Sequence, residues 1–260
     1  MKILYIDIET APNVSLTWGL FNQNVSLDQI VDSGYTLCFA AKWEHSKEVF
    51  YASTYHDGPK RMLALAHRLL SEADVVIHYN GTSFDLPILN KEFVNPKYGL
   101  SPPVPYQQVD LLRTVRRRFR FTSNKLDYVA QFLGLGSKVH HKGMKLWVGC
   151  MAGEEKDWKT MKKYNIQDVH LLPKLYKTLL PWIQNHPNVG LYDEMFDTKG
   201  TPVTQCPNCG SKHIVKNGFE HSNTQRYQRY VCKDCKTPLR GRTTILSKEK
   251  RKAVLVASKL

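Results

Sequence analysis

Apolar and polar residues alternate through Lys2-Ile3-Leu4-Tyr5-Ile6-Asp7-Ile8-Glu9-Thr10 with the period of two that marks a β-strand. Residues two apart share a face, so Asp7 and Glu9 point the same way, about 7 Å apart along the backbone. Residues 11–34 are polar and irregular, and Trp18 and Phe21 are expected to anchor that loop. Tyr35–Trp43 and Glu48–Ala52 read as two antiparallel strands with a turn near Glu44–Lys47. Met62, Leu65, Ala66, Leu69 and Leu70 recur at helical spacing within Arg61–Leu70. Asp74–Tyr79 is a short, nearly continuous apolar run, which predicts a buried strand.

That strand runs into the loop Asn80-Gly81-Thr82-Ser83, and a helix is expected from Phe84 through Phe93, with Pro87 in its first turn. Asp85 thus falls at a strand-to-helix junction. Ser101–Pro105 reads as a proline-rich connection and Gln108–Leu112 as a short strand carrying Asp110. Arg113–Phe121 (RTVRRRFRF) admits two readings. It is a solvated helix face with Phe119 and Phe121 in the core, or a phosphate-contacting segment, Arg117 included, with a base stacked nearby. Ser123 can cap the next helix, whose Leu126, Val129, Ala130 and Leu133 form an apolar stripe ending at Gly134. The loop from Gly136 to Gly143, with Lys138, His140, His141 and Lys142, is basic and fits substrate contact or plain surface.

Trp158–Leu180 predicts a long helix. Tyr164, Asp168, Leu171, Leu175 and Leu179 advance by three or four and share one face, which carries Tyr164 and Asp168 towards the core. Pro173 predicts a kink just after the acid.

Acids on an apolar strand are costly in desolvation and repulsion unless a cation neutralises them. Oxygen ligands of this kind suit Mg²⁺ or Mn²⁺; on an edge strand the same pair would be an ordinary solvated one. Asp7-Ile8-Glu9, Asn80-Gly81-Thr82-Ser83-Phe84-Asp85 and Tyr164-Asn165-Ile166-Gln167-Asp168 occur in the order found in the DEDD superfamily of 3′-to-5′ exonucleases. Over roughly residues 1–180 the chain resembles the tyrosine-bearing branch of that superfamily, which includes proofreading domains of DNA polymerases. The resemblance implies a ribonuclease H-like α/β fold: a mixed sheet with antiparallel first strands, flanked by helices. It further implies two Mg²⁺ (or Mn²⁺) ions in the active site. Asp7 would bridge both, Glu9 and Asp168 would complete the nucleophile-side ion, and Asp85 would serve the other. Tyr164 would orient the attacking water, and Asn80 and Phe84 would hold or stack the terminal nucleotide. Asp110 matches none of the motifs.

The net charge of +14 suggests a polyanionic partner, and its distribution is uneven. From Thr201 onward there are 13 Lys+Arg against 3 Asp+Glu, whereas the first 200 residues hold 24 and 20. Cysteines follow the same partition: Cys38 and Cys150 stand alone as buried small residues, while Cys206, Cys209, Cys232 and Cys235 form two CxxC pairs separated by 22 residues. That spacing is a tetrahedral Zn²⁺ signature, one structural ion whose binding would fold a zinc ribbon with strands at Ile214–Val215 and Arg226–Val231. Gly210 suits the tight turn after the first pair. Arg226, Tyr227, Arg229 and Tyr230 interleave charge with rings, as nucleic-acid surfaces often do; a protein-docking ribbon with a solvated basic face is the other reading.

The organisation expected is therefore a ribonuclease H-like domain over residues 1–184, a linker over 185–204, a four-cysteine zinc ribbon over 205–240 and a basic tail over 241–260. No apolar run is long enough to span a membrane and no signal-peptide pattern opens the chain, so a cytoplasmic location is expected, the host's cytoplasm for a viral protein. The function expected is a metal-dependent 3′-5′ exonuclease acting on single-stranded 3′ ends, DNA favoured, with the ribbon aiding nucleic-acid binding. Two alternatives stay open: a zinc-ribbon nucleic-acid-binding protein on a non-catalytic nuclease-like scaffold, and an RNA-directed exoribonuclease. A proofreading role would need a separate polymerase or replication protein as partner.

Overall fold

The strand that carries Asp7 and Glu9 lies inside its sheet, with a parallel neighbour along Ile3–Tyr5 and an antiparallel one along Leu4–Thr10, so it is not an edge strand, although its acids have a neighbouring strand on one side only. In the computed structural model, which describes residues 1–192 and 203–257, the chain forms two units, Lys2–Tyr176 and Lys177–Leu260. The first opens with β1 (Ile3–Thr10), a small ladder of β2 (Val14–Ser15) and β3 (Ile30–Asp32), then β4 (Thr36–Trp43) and β5 (Phe50–Ser53). It continues with α1 (Pro59–Glu72), β6 (Val75–His78), α2 (Asp85–Phe93), β7 (Gln107–Asp110), α3 (Leu111–Arg118), α4 (Leu126–Phe132) and α5 (Met144–Met151). Its last helix is α6 (Glu155–Leu179), which continues through Pro173.

The main sheet has the order β5-β4-β1-β6-β7. β5, β4 and β1 pair antiparallel, and β1, β6 and β7 pair parallel. This is the ribonuclease H-like mixed sheet flanked by helices. The alternation of β1 assigns its two faces. Leu4, Ile6 and Ile8 join the cluster beneath α1 and α2, with Leu63, Leu70, Leu89 and Phe93. On the opposite face, Leu37 and Cys38 of β4 pack with Leu146 and Cys150 of α5 and with Trp158, Met161 and Tyr164 of α6. Asp7 and Glu9, odd-numbered, fall on this second face.

The β6–α2 loop turns sharply because Asn80 adopts a left-handed φ of 75°. Gly81 then lies flat on the buried His78 ring, its N–H donating to Nδ1 at 3.0 Å. A Cβ at Gly81 would stand 2.4 Å from His78 Cγ.

Two local expectations are corrected. Trp18 and Phe21 anchor nothing: Trp18 is 100% and Phe21 83% exposed, because the segment around them forms just a two-stranded ladder and one 3-10 turn at Leu27–Gln29, which offer no face to bury them against. Ser123 is not the cap of α4. That helix begins at Leu126 after Lys125, and Ser123 Oγ accepts the Lys125 N–H at 3.3 Å, one step outside the helix. Phe119 and Phe121 are half-buried and stack on each other with centroids 5.3 Å apart.

The second unit holds the antiparallel sheet β10-β9-β8, formed by β8 (Ile214–His221), β9 (Arg226–Cys232) and β10 (Pro238–Thr244), followed by α7 (Lys248–Lys252). The strands run longer than expected, and β10 carries the sheet into residues read as tail. Of the expected linker, 193–202 lie outside the described residues, as do 258–260 at the end. No described helix is long and apolar enough to cross a membrane.

Gly81→Ala is expected to destabilise the chain by about 1–3 kcal/mol, since the new methyl must displace a fully buried ring. A denaturation midpoint equal to that of the unmodified chain would contradict this packing.

Candidate active site

The helical spacing of α6 and the pleat of β1 meet at one point. Asp7, Glu9 and Asp168 each bring a carboxylate oxygen within 4.8 Å of the other two. Asp85, the first residue of α2, stands just outside that trio. Its Oδ1 accepts the N–H of Ile8 at 3.0 Å, from the peptide between the two β1 acids. Asp7 is fixed from α6: the fully buried Asn165 donates its Nδ2 to Asp7 Oδ2 at 2.7 Å and to the Asp7 carbonyl at 3.2 Å.

Four carboxyls this close repel and lose hydration, and both effects disfavour the ionised form. Burial first, then Asp168, Asp85 and Glu9, hold Asp7 well above the usual carboxylate range. Burial and Asp168 push Glu9 up to about 8, with the Trp147 indole donating to it in the opposite sense. Burial pushes Asp85 to about 7, against the Ile8 N–H. Asp168 is raised by burial as well, although Lys138 and Tyr164 draw it back.

The countercharge comes from the loop between α4 and α5. The Lys138 ammonium bonds Asp168 Oδ2 and donates to the Tyr164 hydroxyl at 2.9 Å. Burial draws this ammonium down, but Asp168, Tyr164 and Asp7 together raise it above its ordinary value. The Lys138 N–H is held by Asp127 Oδ1 at 2.8 Å. The buried Asp168 Oδ1 has no hydrogen-bond partner among the described residues. An orphaned carboxylate oxygen, an all-oxygen donor set and a cationic side chain already drawn to the cluster all fit a hard divalent cation. Tyr164 sits one turn before Asp168, its ring against His141 and Trp147 at 4.9 and 6.1 Å.

Asp7, Lys138 and Tyr164 open onto a cleft of about 610 Å³, which Asn80 and Arg116 also line. Asn80 donates its N–H to Asp110 Oδ1 at 3.0 Å, and Asp110 also caps α3 through Leu112 N–H. Asp110 is thus committed to local structure. Phe84 stands half exposed before α2. Arg117 is exposed on α3 and is not among the cleft residues; its neighbour Arg116 is. Arg226, Tyr227 and Arg229 belong to the second unit and are engaged within its own sheet. Arg226 lies 3.8 Å above the Phe219 ring, Arg240 lies 4.5 Å above Tyr227, and Arg229 donates to the Asn217 carbonyl at 2.8 Å.

Lys138, Asn165 and Trp147 are the site residues that sequence reasoning missed. Asn165 stood inside one of the three motifs and Lys138 in the basic loop, but no periodicity aims either side chain at β1.

The cysteines form a second centre. The four sulfurs lie within 4.8 Å of one another. Cys206 and Cys235 are 3.6 Å apart and Cys209 and Cys232 are 3.7 Å apart. None is in a disulfide. A tetrahedral ion with Zn–S bonds of ~2.3 Å spaces its sulfurs about 3.8 Å apart, so the set fits zinc. The two loops are built alike. Gly210 N–H returns to the Cys206 carbonyl at 2.8 Å and Lys236 N–H to the Cys232 carbonyl at 3.0 Å, each residue at positive φ. Burial works against the Cys232 thiolate, but the N–H groups of Cys235 and Asp234 bring it down to about 7.

A family model described as the RNase H superfamily matches residues 4–180. Among solved structures, the family B DNA polymerase from the hyperthermophilic archaeon Pyrobaculum calidifontis is similar in fold, with a TM-score of 0.50 and 19% identity. The match covers 69% of this chain and 24% of the polymerase. No curated protein matches the chain.

In Mg²⁺-free buffer the folded chain keeps protons on Glu9 and Asp85 up to about pH 8 and 7, whereas the unfolded chain loses them near pH ~4. The folded form therefore binds more protons across that window, and its stability is lost as pH rises through it. The melting temperature is expected to fall between about pH 5 and 8, and Mg²⁺ is expected to raise it more at the upper end. A pH-independent melting temperature would show that these carboxyls are not perturbed. Zinc at the cysteine centre would hold β8–β10 together, so treatment with a chelator is expected to collapse them, read as loss of their amide dispersion in NMR spectra. A sheet that persists after chelation would sink the zinc assignment.

Proposed function

The chain belongs to the RNase H superfamily, and on that footing we propose that it is a 3′-5′ exonuclease of the tyrosine-bearing DEDD branch. Its substrate is the single-stranded 3′ end of a nucleic acid, DNA in preference to RNA. The observation that carries this reading is the convergence of Asp7, Glu9 and Asp168 on one point, with Tyr164 a turn before the last acid. Asp7, Glu9, Asp85 and Asp168 would hold two Mg²⁺ or Mn²⁺ ions, whose chemistry is to activate a water and neutralise the leaving alkoxide. Burial and the adjacent Asp168 keep the Tyr164 hydroxyl protonated. It can therefore donate one hydrogen bond and accept another, which is what orienting a water requires. Asn165 holds Asp7 in place from beneath. Asn80 and Phe84 receive the terminal nucleotide, the ring offering a face to its base. The zinc ribbon supplies a further basic surface for the polymer, and proofreading would require a separate polymerase as partner.

A non-catalytic binding protein is the second reading, and one contact favours it. The Lys138 ammonium is bonded to Asp168, where it competes with any other cation. Oligonucleotides labelled at either end decide between the two. Shortening from the 3′ end in Mg²⁺, and none without it, supports the exonuclease; intact strands under every divalent ion support the binder.

Asp7→Asn and Asp168→Asn should each lower hydrolysis on the order of 10⁴-fold, comparable to losing a member of a catalytic set. Tyr164→Phe should cost about 10²-fold, since the water loses a guide and not its activation. Hydrolysis by Asp168→Asn at the normal rate would remove the assignment.

A further inference from the structure

We infer that the connection from α3 to α4 is the track for the single strand upstream of its 3′ end, with Arg116 and Lys125 holding phosphates and the rings of Phe121 and Phe132 stacking an unpaired base. The inference rests on the exonuclease reading for the direction of the strand.

α3 buries Leu111, Leu112, Thr114 and Val115 on one side and leaves Arg116, Arg117 and Arg118 in its last turn. A cation there complements the helix dipole. Arg113 is paired with Asp110 at 3.9 Å, but among the described residues neither Arg116 nor Lys125 takes part in an ion pair. Both line the cleft that opens on Asp7 and Tyr164. The other acid of that wall, Asp127, is occupied by the Lys138 N–H. A phosphodiester approaching a cluster of carboxylates is repelled, so uncompensated cations in the same cleft are what admit it.

The connection is held in place rather than loose. The Tyr79 hydroxyl, at the end of β6, donates to the Asn124 carbonyl at 2.6 Å. Tyr79 directly precedes Asn80, so the loop that receives the terminal nucleotide and the loop that carries Lys125 are tied together.

The same connection and α4 carry a run of rings. Phe119 and Phe121 stack with centroids 5.3 Å apart, Phe121 meets Phe132 edge-on at 5.1 Å, and Tyr128 lies 6.5 Å from Phe132. Phe132 is 66% exposed. An open aromatic face on a segment rich in arginine is a stacking platform for bases. Bases in a duplex have no free face to offer, which makes the track selective for single strands.

The test uses the full chain in an Asp7→Asn background with Mg²⁺ present, so that the strand is not consumed. The probe is a fluorescent oligothymidylate of about twelve residues, within the usual span of such tracks. Arg116→Gln with Lys125→Gln is expected to weaken binding at least tenfold. Losing two phosphate contacts should also flatten the dependence of log affinity on log salt by about 1.4. Phe132→Leu, which keeps apolar volume, is expected to weaken binding several-fold with little change in that slope. Unchanged affinity and slope in the double variant would overturn the track, even if hydrolysis runs from the 3′ end. Should the Asp7-intact chain fail to hydrolyse while these variants still lose binding, the track stands and the hydrolytic reading falls.

Discussion

Like charges forced together in a poorly hydrated place organise this protein. Asp7, Glu9, Asp85 and Asp168 come from three separate elements, and each neighbour raises the cost of ionising the others. Such an arrangement persists only where the surrounding structure imposes it and a cation relieves it. The imposition is visible in the bonds around Asp7: β4 pairs with its strand there and β6 with the stretch just before it, Asn165 grips its carboxylate, and Asp85 is tied to the adjoining peptide. In the chain as it stands, relief comes from Lys138. A divalent ion would do the same with more charge and would also use the orphaned oxygen of Asp168.

Much of this was legible in the sequence because it depends on period. The alternation of β1 placed its acids on one face, the three-and-four spacing of α6 carried Asp168 inward, and two CxxC pairs marked the cysteine centre. Illegible features were those set by tertiary approach. Nothing in a basic loop says that Lys138, thirty residues before Asp168 in sequence, will lie on its carboxylate. Asn165 looks like any polar residue of a helix until β1 is packed beside it. Trp18 and Phe21 failed in the opposite way. Large rings normally imply burial, but residues 11–34 form no layer of their own, and no sheet face reaches them. Ser123 had the chemistry of a cap, but the chain takes two more residues to turn, partly because Asn124 is held by Tyr79.

The two units reach order by different means. In Lys2–Tyr176 a five-stranded sheet covered on both faces supplies enough buried apolar surface to define its own geometry. In the second unit the strands are mostly exposed, and few side chains beyond Cys206 and Cys232 are buried. Its order follows from two similarly built loops closing on one point, and from arginines laid over neighbouring rings. Those stacked arginines already have partners in their own sheet, whereas Arg116 and Lys125 of the first unit have none in an ion pair among the described residues.

The placement of Asp7 and Glu9 on a strand with two differently lined faces also bears on how the chain finds its native state. A slip of one residue in the pairing of β1 would exchange the faces of every side chain. Asp7 and Glu9 would then enter the cluster of Leu63, Leu70 and Leu89, where an unpaired carboxylate costs several kcal/mol. Most apolar strands tolerate misalignment because one aliphatic residue substitutes for another. Here the acids penalise the misaligned chain heavily, so the residues proposed to cut nucleic acid also guard the fidelity of folding.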